Sequence, residues 1–339
     1  MRLLLAVMVV AVHTPHYPDR WPNLGAVAVS VFFFISGFLM PLAFEANYKF
    51  ERFSTKAMHF WINRFLRIYP WYWLSILLPL AYVFVRGPQN ETQQHYFDTG
   101  VILQNALLLG LNQDGAWGRY IRYNNPAWTL DIELQYYLLV PLLVWGYDRL
   151  PKIITGSLML CSIASIYLLA FPSGRNDIDW SLLGFSALFF AGFFIFQMQK
   201  TGLNCNDEKW TMVGAALIFI SILMPDPFRV PGLCIGLILV CVYLLGAELL
   251  QSQDATDKFI GDLSYPVYIF HFFLIGITQG RTEAYLQSLQ FSGFGLFLGI
   301  FVTNIIVCVS VCSILVAFGE PVIGKIRSRI KRNQTIFGN

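Results

Sequence analysis

The chain of 339 residues is 56% hydrophobic and 16% aromatic, with only 13% charged residues. A soluble core of that size cannot hide so much apolar side chain, and a net charge of +3 is too small to indicate a nucleic-acid partner. The composition excludes an ordinary soluble enzyme and predicts an all-α polytopic membrane protein.

Ten apolar stretches recur along the chain, each of a length to cross a hydrocarbon slab of roughly 30 Å as a helix. They are predicted at 2–17, 25–45, 65–86, 127–147, 153–171, 180–199, 210–225, 231–250, 263–280 and 294–318. If these spans alternate, all the lysines and the basic tail "KIRSRIKR" fall on the side shared by both termini. The Lys/Arg bias then places both termini in the cytoplasm. One transmembrane domain is expected over 1–325, followed by a basic cytoplasmic tail over 326–339. Five cysteines lie in apolar stretches and Cys205 in a loop, without metal spacing, so packing is their expected role and no metal is expected.

The first stretch, "MRLLLAVMVVAVH", sets ten apolar residues between Arg2 and His13. It imitates a signal peptide, but Ala11-Val12-His13 and Thr14-Pro15 offer no clean small-x-small cleavage site. As a helix running outward, it carries His13 about 16 Å along its axis from Arg2. The second span contains "FFFISGFLM", where Ser36 and Gly37 allow either close helix packing or a narrow passage for a thin ligand. At the entry to the third span, "FWINRFLRIYPWYW" sets Arg64 and Arg67 one turn apart. Guanidinium forks at that spacing suit a phosphate-bearing ligand, and they also suit a positive-inside anchor with its aromatic belt.

The polar interval 87–126 contains Trp117 among residues that suit sugar contacts. The fourth span opens "NNPAWTLDIELQYY", with Pro126 fitting a first helical turn and with Asp131 and Glu133 inside the membrane. If that helix starts at the external surface, the two carboxylates lie at the depth of His13. A carboxylate beside an imidazole fixes its tautomer and raises its basicity, or merely staples two helices. In the ninth span, "LSYPVYIFH" carries His271 midway and Pro266 where a bend is expected. Ionisable groups inside a membrane are costly enough that each needs a partner, a cavity or a task.

Taken in order, these elements resemble the membrane-bound acyltransferase-3 family of bacterial envelope enzymes. The Arg2-(ten residues)-His13 spacing resembles its R-x10-H signature. "GAVAVSVFFFISGF" resembles its second helix, and "RFLRIYP" its R-x-x-R entry to the third. "NPAWTLDIELQYY" is similar to its W-S-L-x-x-E element, which matches the family glutamate to Glu133, and "LSYPVYIFH" to its S-Y-x-x-Y-L-x-H helix. Thr129 stands where serine is commoner, and only Met1 precedes Arg2.

The resemblance implies transfer of an acetyl group from cytoplasmic acetyl-CoA to a hydroxyl of an envelope glycan, such as an O-antigen or exopolysaccharide, at the bacterial inner membrane. It implies a stand-alone transferase that hands its acyl group directly to the acceptor. His13 is the expected general base, oriented by Glu133 or Asp131, with Arg2 either at the donor phosphates or only an anchor. Arg64 and Arg67 would hold the donor phosphates, and Ser36, Gly37, Tyr69 and Tyr265 would line the passage of its arm. Asn125, Trp128, His271 and Trp117 are the expected acceptor contacts. A succinyl or longer donor and a lipid-linked sugar acceptor are alternatives. A polytopic transporter is the rival from another class, although no internal repeat supports it.

Overall fold

A computed structural model describes residues 1–47, 52–111, 121–147, 149, 182–202, 207–224, 228–248 and 255–336. Among them every regular element is a helix. In chain order these are α1 (Arg2–His13), α2 (Leu24–Asn47), α3 (Phe53–Arg86), α4 (Glu91–Gln94), α5 (Thr99–Leu107) and α6 (Ala127–Tyr147). They are followed by α7 (Leu182–Lys200), α8 (Lys209–Leu223), α9 (Arg229–Glu248), α10 (Ala255–Ser288) and α11 (Gly293–Ile336).

Against the ten expected spans, four helices among the described residues are long and apolar enough to cross a membrane by themselves: Leu24–Ala46, Phe53–Arg86, Thr256–Ser288 and Gly293–Arg327. Three apolar helices are shorter, at Arg2–His13, Lys209–Leu223 and Arg229–Leu245. The stretch expected over 153–171 lies outside the described residues. The chain is a helical, multi-pass membrane protein.

The span predicted over 2–17 is a helix of 12 residues, about 18 Å long at 1.5 Å per residue. Thr14 stops it. As the residue before Pro15 it is pushed out of the helical region, and it adopts φ −77° and ψ 132°. Its amide caps the helix end by donating to the Ala11 carbonyl at 3.1 Å. His13 is therefore the last residue of α1, at a helix end rather than inside a long span. Pro266, where a bend was expected, lies within the continuous helix α10.

Glycines set the closest helix contacts. A Cβ at Gly37 of α2 would stand 2.2 Å from the Phe189 carbonyl oxygen of α7, and one at Gly192 would stand 2.1 Å from the Phe34 carbonyl oxygen. Gly214 and Gly236 bring α8 and α9 together in the same way. Gly37 thus serves close packing, the first of the two roles expected of it.

The polar interval between α3 and α6 is folded into the bundle. Tyr72 donates its hydroxyl to the Asn105 carbonyl at 2.6 Å, and Asn105 Nδ2 donates to the Val101 and Ile121 carbonyls at 2.9 and 2.8 Å. Asn124 Nδ2 donates to Ser75 Oγ at 2.9 Å and to the Ile269 carbonyl at 2.8 Å. These side chains satisfy backbone groups that hydrocarbon would leave without partners. As a result the start of α6 is enclosed by neighbouring elements: Ala127, Thr129, Leu130, Asp131 and Ile132 in its first turns are all buried.

Candidate active site

Two polar centres lie along α1, one at each end. The first is a cavity of about 80 Å³ at the Arg2 end. Its polar lining comes from Arg2, Ser36, Arg67, Glu133, Tyr265 and Tyr268, and its apolar walls from Val29, Phe32, Phe33 and Ile68. Five helices supply these groups: α1, α2, α6 and α10, with α3 adding Arg67 and Ile68. Glu133 is the hub. Its Oε1 accepts from Ser36 Oγ at 2.5 Å and from the Tyr137 hydroxyl. The Glu133 carboxylate also lies within electrostatic reach of Arg2, which faces Arg67 and Arg64 as well.

Two guanidinium groups line this cavity against one carboxylate, so it is net cationic. Arg2 Nε is buried and has no hydrogen-bond partner among the described residues. A buried donor without a partner is expensive in an apolar setting and marks a place for an acceptor. A ligand with an anionic head and a slim apolar body matches such a lining.

The second centre is a pair of imidazoles. His13 Nδ1 lies 2.9 Å from the Val9 carbonyl oxygen and 3.3 Å from His271 Nε2. His271 Nδ1 lies 2.6 Å from the Tyr268 carbonyl oxygen. The rings stand 5.0 Å apart at 50°, and Phe272 packs edge-on to His13 at 5.7 Å. His271 is fully buried, whereas His13 is half-buried. Just beyond, Asn304 Nδ2 donates to Thr14 Oγ1 at 3.2 Å and ties α11 to the end of α1.

Tyr268 links the two centres. Its hydroxyl lies on the cavity wall and pairs with Thr129 Oγ1 at 2.7 Å, and its carbonyl holds His271. Neither histidine lines the cavity itself.

The expected carboxylate–imidazole pair does not form. Asp131 Oδ2 accepts the Leu111 amide at 2.6 Å and its Oδ1 accepts Gln135 Nε2 at 2.9 Å, so it pins the chain just after α5 onto α6. Glu133 serves Ser36, Tyr137 and Arg2. The physical reason is where the start of α6 is tied: Asn124 Nδ2 donates to the Ile269 carbonyl and Thr129 pairs with Tyr268, so the following turns carry Asp131 and Glu133 away from His13. His271 takes the place next to His13 instead, rather than facing an acceptor.

Arg64 and Tyr69 were grouped with Arg67, but they line a separate groove behind Tyr137, with Asp131 and Leu107. Tyr69 donates its hydroxyl to the Leu107 carbonyl at 2.8 Å, and Arg64 Nη1 donates to Met40 Sδ at 3.3 Å. Tyr265 does line the cavity, and its hydroxyl donates to the Ile68 carbonyl at 3.0 Å. Asn125 is exposed and accepts from Arg122 Nη1 at 3.3 Å, while its neighbour Asn124 is the buried, structural amide. Trp128 stacks near Phe185 at 5.9 Å, and Trp117 lies outside the described residues. Sequence reasoning missed Tyr137 and Tyr268 as members of the site. Both stand one helical turn from a residue that it did single out, Glu133 and His271.

The chain is similar to known proteins over most of its length. The family described as "Acyltransferase domain" matches residues 1–313. Nodulation protein 10 of Rhizobium leguminosarum bv. viciae is 26% identical over 286 residues, covering 73% of this chain and 71% of that protein. Acyltransferase MdmB of Streptomyces mycarofaciens is 30% identical over 140 residues, or 41% of this chain and 33% of that protein. O-acetyltransferase OatA of Staphylococcus aureus is 26% identical over 181 residues, 51% of this chain and 30% of that protein. The matched regions thus span about a third of MdmB and of OatA. No solved structure matches. The cationic cavity and the histidine pair are therefore set in a chain that belongs to the acyltransferase-3 family of membrane O-acyltransferases.

Proposed function

We propose that the protein transfers an acetyl group from acetyl-CoA to a hydroxyl of an envelope carbohydrate, across the bacterial cytoplasmic membrane. The observation that carries this reading is the pairing of two features on one helix. Arg2, with a buried Nε lacking a partner, lies in a cationic cavity, and His13 stands about 16 Å along the same axis. Acetyl-CoA has an anionic head and a long, thin arm that ends in the thioester, which suits that layout.

In this reading the Arg2 end of α1 faces the cytoplasm. Arg2 and Arg67 hold donor phosphate, and the arm runs between Phe32, Ser36 and Tyr265 toward Tyr268. The glycan hydroxyl enters from the other side of the membrane. His13 takes the hydroxyl proton as the oxygen attacks the thioester carbonyl carbon. The carbon–sulfur bond breaks, and the departing CoA thiolate takes the proton back from the His13 imidazolium. General base catalysis of this kind contributes roughly 10²–10⁴ in rate, and holding donor and acceptor together supplies much of the remainder.

The test uses purified protein in lipid nanodiscs with labelled acetyl-CoA. Release of CoA that depends on a sugar acceptor, with label appearing on the sugar, supports the reading. Movement of sugar into sealed vesicles without CoA release would identify a transporter instead.

A further inference from the structure

The two histidines are a single hydrogen-bonded unit whose proton positions follow from their neighbours. His271 Nδ1 lies 2.6 Å from the Tyr268 carbonyl oxygen, which can only accept, so that nitrogen carries a proton. A neutral imidazole protonated at Nδ1 has a lone pair at Nε2, and full burial of His271 favours the neutral form. His271 Nε2 is therefore an acceptor.

Facing it at 3.3 Å is His13 Nδ1, which also lies 2.9 Å from the Val9 carbonyl oxygen. Both neighbours of His13 Nδ1 demand a proton there. The His13 lone pair is thereby displaced to Nε2, which takes no hydrogen bond among the described residues and is not enclosed. That is the state a general base needs: a fixed tautomer with its basic nitrogen open to an incoming hydroxyl.

We propose that His271 is the positioning residue of the site, holding His13 through the Nδ1–H to Nε2 contact so that His13 Nε2 presents its lone pair to the acceptor. This rests on the transfer reading above and assigns the role commonly filled by a carboxylate to a neutral imidazole. The consequence is chemical. When His13 Nε2 takes the acceptor proton, the new imidazolium keeps its Nδ1 proton and shares it with the His271 lone pair and the Val9 carbonyl. The positive charge stays on His13, and no proton passes to His271. Phe272 packs edge-on against the His13 ring and keeps that face apolar.

Two substitutions separate positioning from packing. His271→Phe keeps a ring of similar size and removes the acceptor. His271→Gln can place its amide oxygen near the former Nε2. The expected result is a fall in kcat of about 10²-fold or more in His271→Phe, with KM for acetyl-CoA within about twofold and substantial recovery of kcat in His271→Gln. Unchanged kcat in His271→Phe, or equal loss in both variants at unchanged KM, would overturn the proposal.

A second measurement needs no variant. Diethyl pyrocarbonate attacks an open imidazole lone pair, so in the unmodified protein His13 should be carbethoxylated while His271 is protected, as read by peptide mass spectrometry. Labelling of His271 ahead of His13 would overturn the pairing even if both variants failed to fold. If His13 is labelled first but no acyl transfer occurs, the transfer reading fails and the pairing stands.

Discussion

Gly37→Ala tests whether the α2–α7 contact positions the cavity. A Cβ at Gly37 would stand 2.2, 2.8 and 2.9 Å from the Phe189 carbonyl oxygen, carbonyl carbon and Cα. All three are backbone atoms, so no side chain can swing away. Restoring the oxygen contact to an ordinary 3.4 Å requires the helices to part by about 1.2 Å, the difference between those two distances. Overpacking of this type costs typically about 1–3 kcal/mol. The same displacement shifts the adjacent Ser36 relative to Glu133, whose contact of 2.5 Å has no slack.

Gly276→Ala is the control, because a Cβ there meets nothing within 4 Å and alanine is the better helix former. The assay is thermal unfolding in detergent together with the acetyl-CoA KM of both variants. Gly37→Ala should unfold at lower temperature and bind donor more weakly, while Gly276→Ala should match or exceed the parent in stability. A Gly37→Ala protein with parental stability and KM, or equal losses in both variants, would refute the reasoning.

Three further outcomes are expected. Arg67→Ala should raise the acetyl-CoA KM by about tenfold or more, since a hydrogen bond to a charged group is worth about 1.5–3 kcal/mol, while thermal stability stays near parental; steady-state kinetics reads this directly. Asp131→Ala should lower stability by about 1–3 kcal/mol by leaving the buried Leu111 amide without its acceptor, and should leave donor KM in place. In the segment before α6, burial first, then Tyr96 and Asp98, push the Tyr123 hydroxyl up to about 12. A raised folded-state value stabilises the protonated form, so its contribution is intact below pH 10 and is lost as pH rises toward 12. Unfolding measured from pH 8 to 12 should show Tyr123→Phe losing less stability than the parent over that window.

The class of the protein was legible in its composition, and the order of its motifs pointed to the family that the comparisons show. What the one-dimensional pattern could not deliver was depth. Counting α6 from an assumed surface start set Asp131 and Glu133 level with His13. Asn105 ties down Ile121, and Asn124 and Thr129 tie the start of α6 to α10, so the following turns carry both carboxylates away from His13. Hydrogen bonds across sixteen or more positions leave no periodic trace in sequence.

The same limit separated Arg64 from Arg67. One helical turn apart on α3, they line different spaces, Arg67 the cavity with Arg2 and Arg64 the groove with Asp131, and Tyr137 borders both. The histidine pair was nearer to legible. His13 stands eleven residues after Arg2 and His271 eight after Leu263, on two helices expected to run in the same direction. Each was an intramembrane group in need of a partner, and matching their depths would have joined them.

The most direct measurement of the central claim is acetyl transfer by His13→Ala in nanodiscs, at parental protein level and with parental acetyl-CoA affinity as the folding control. The account predicts a fall in acceptor-dependent transfer of at least about 10²-fold, with donor binding retained at the Arg2 end of the helix. Transfer at the parental rate would contradict it, because the imidazole at the end of α1 would then not be the base.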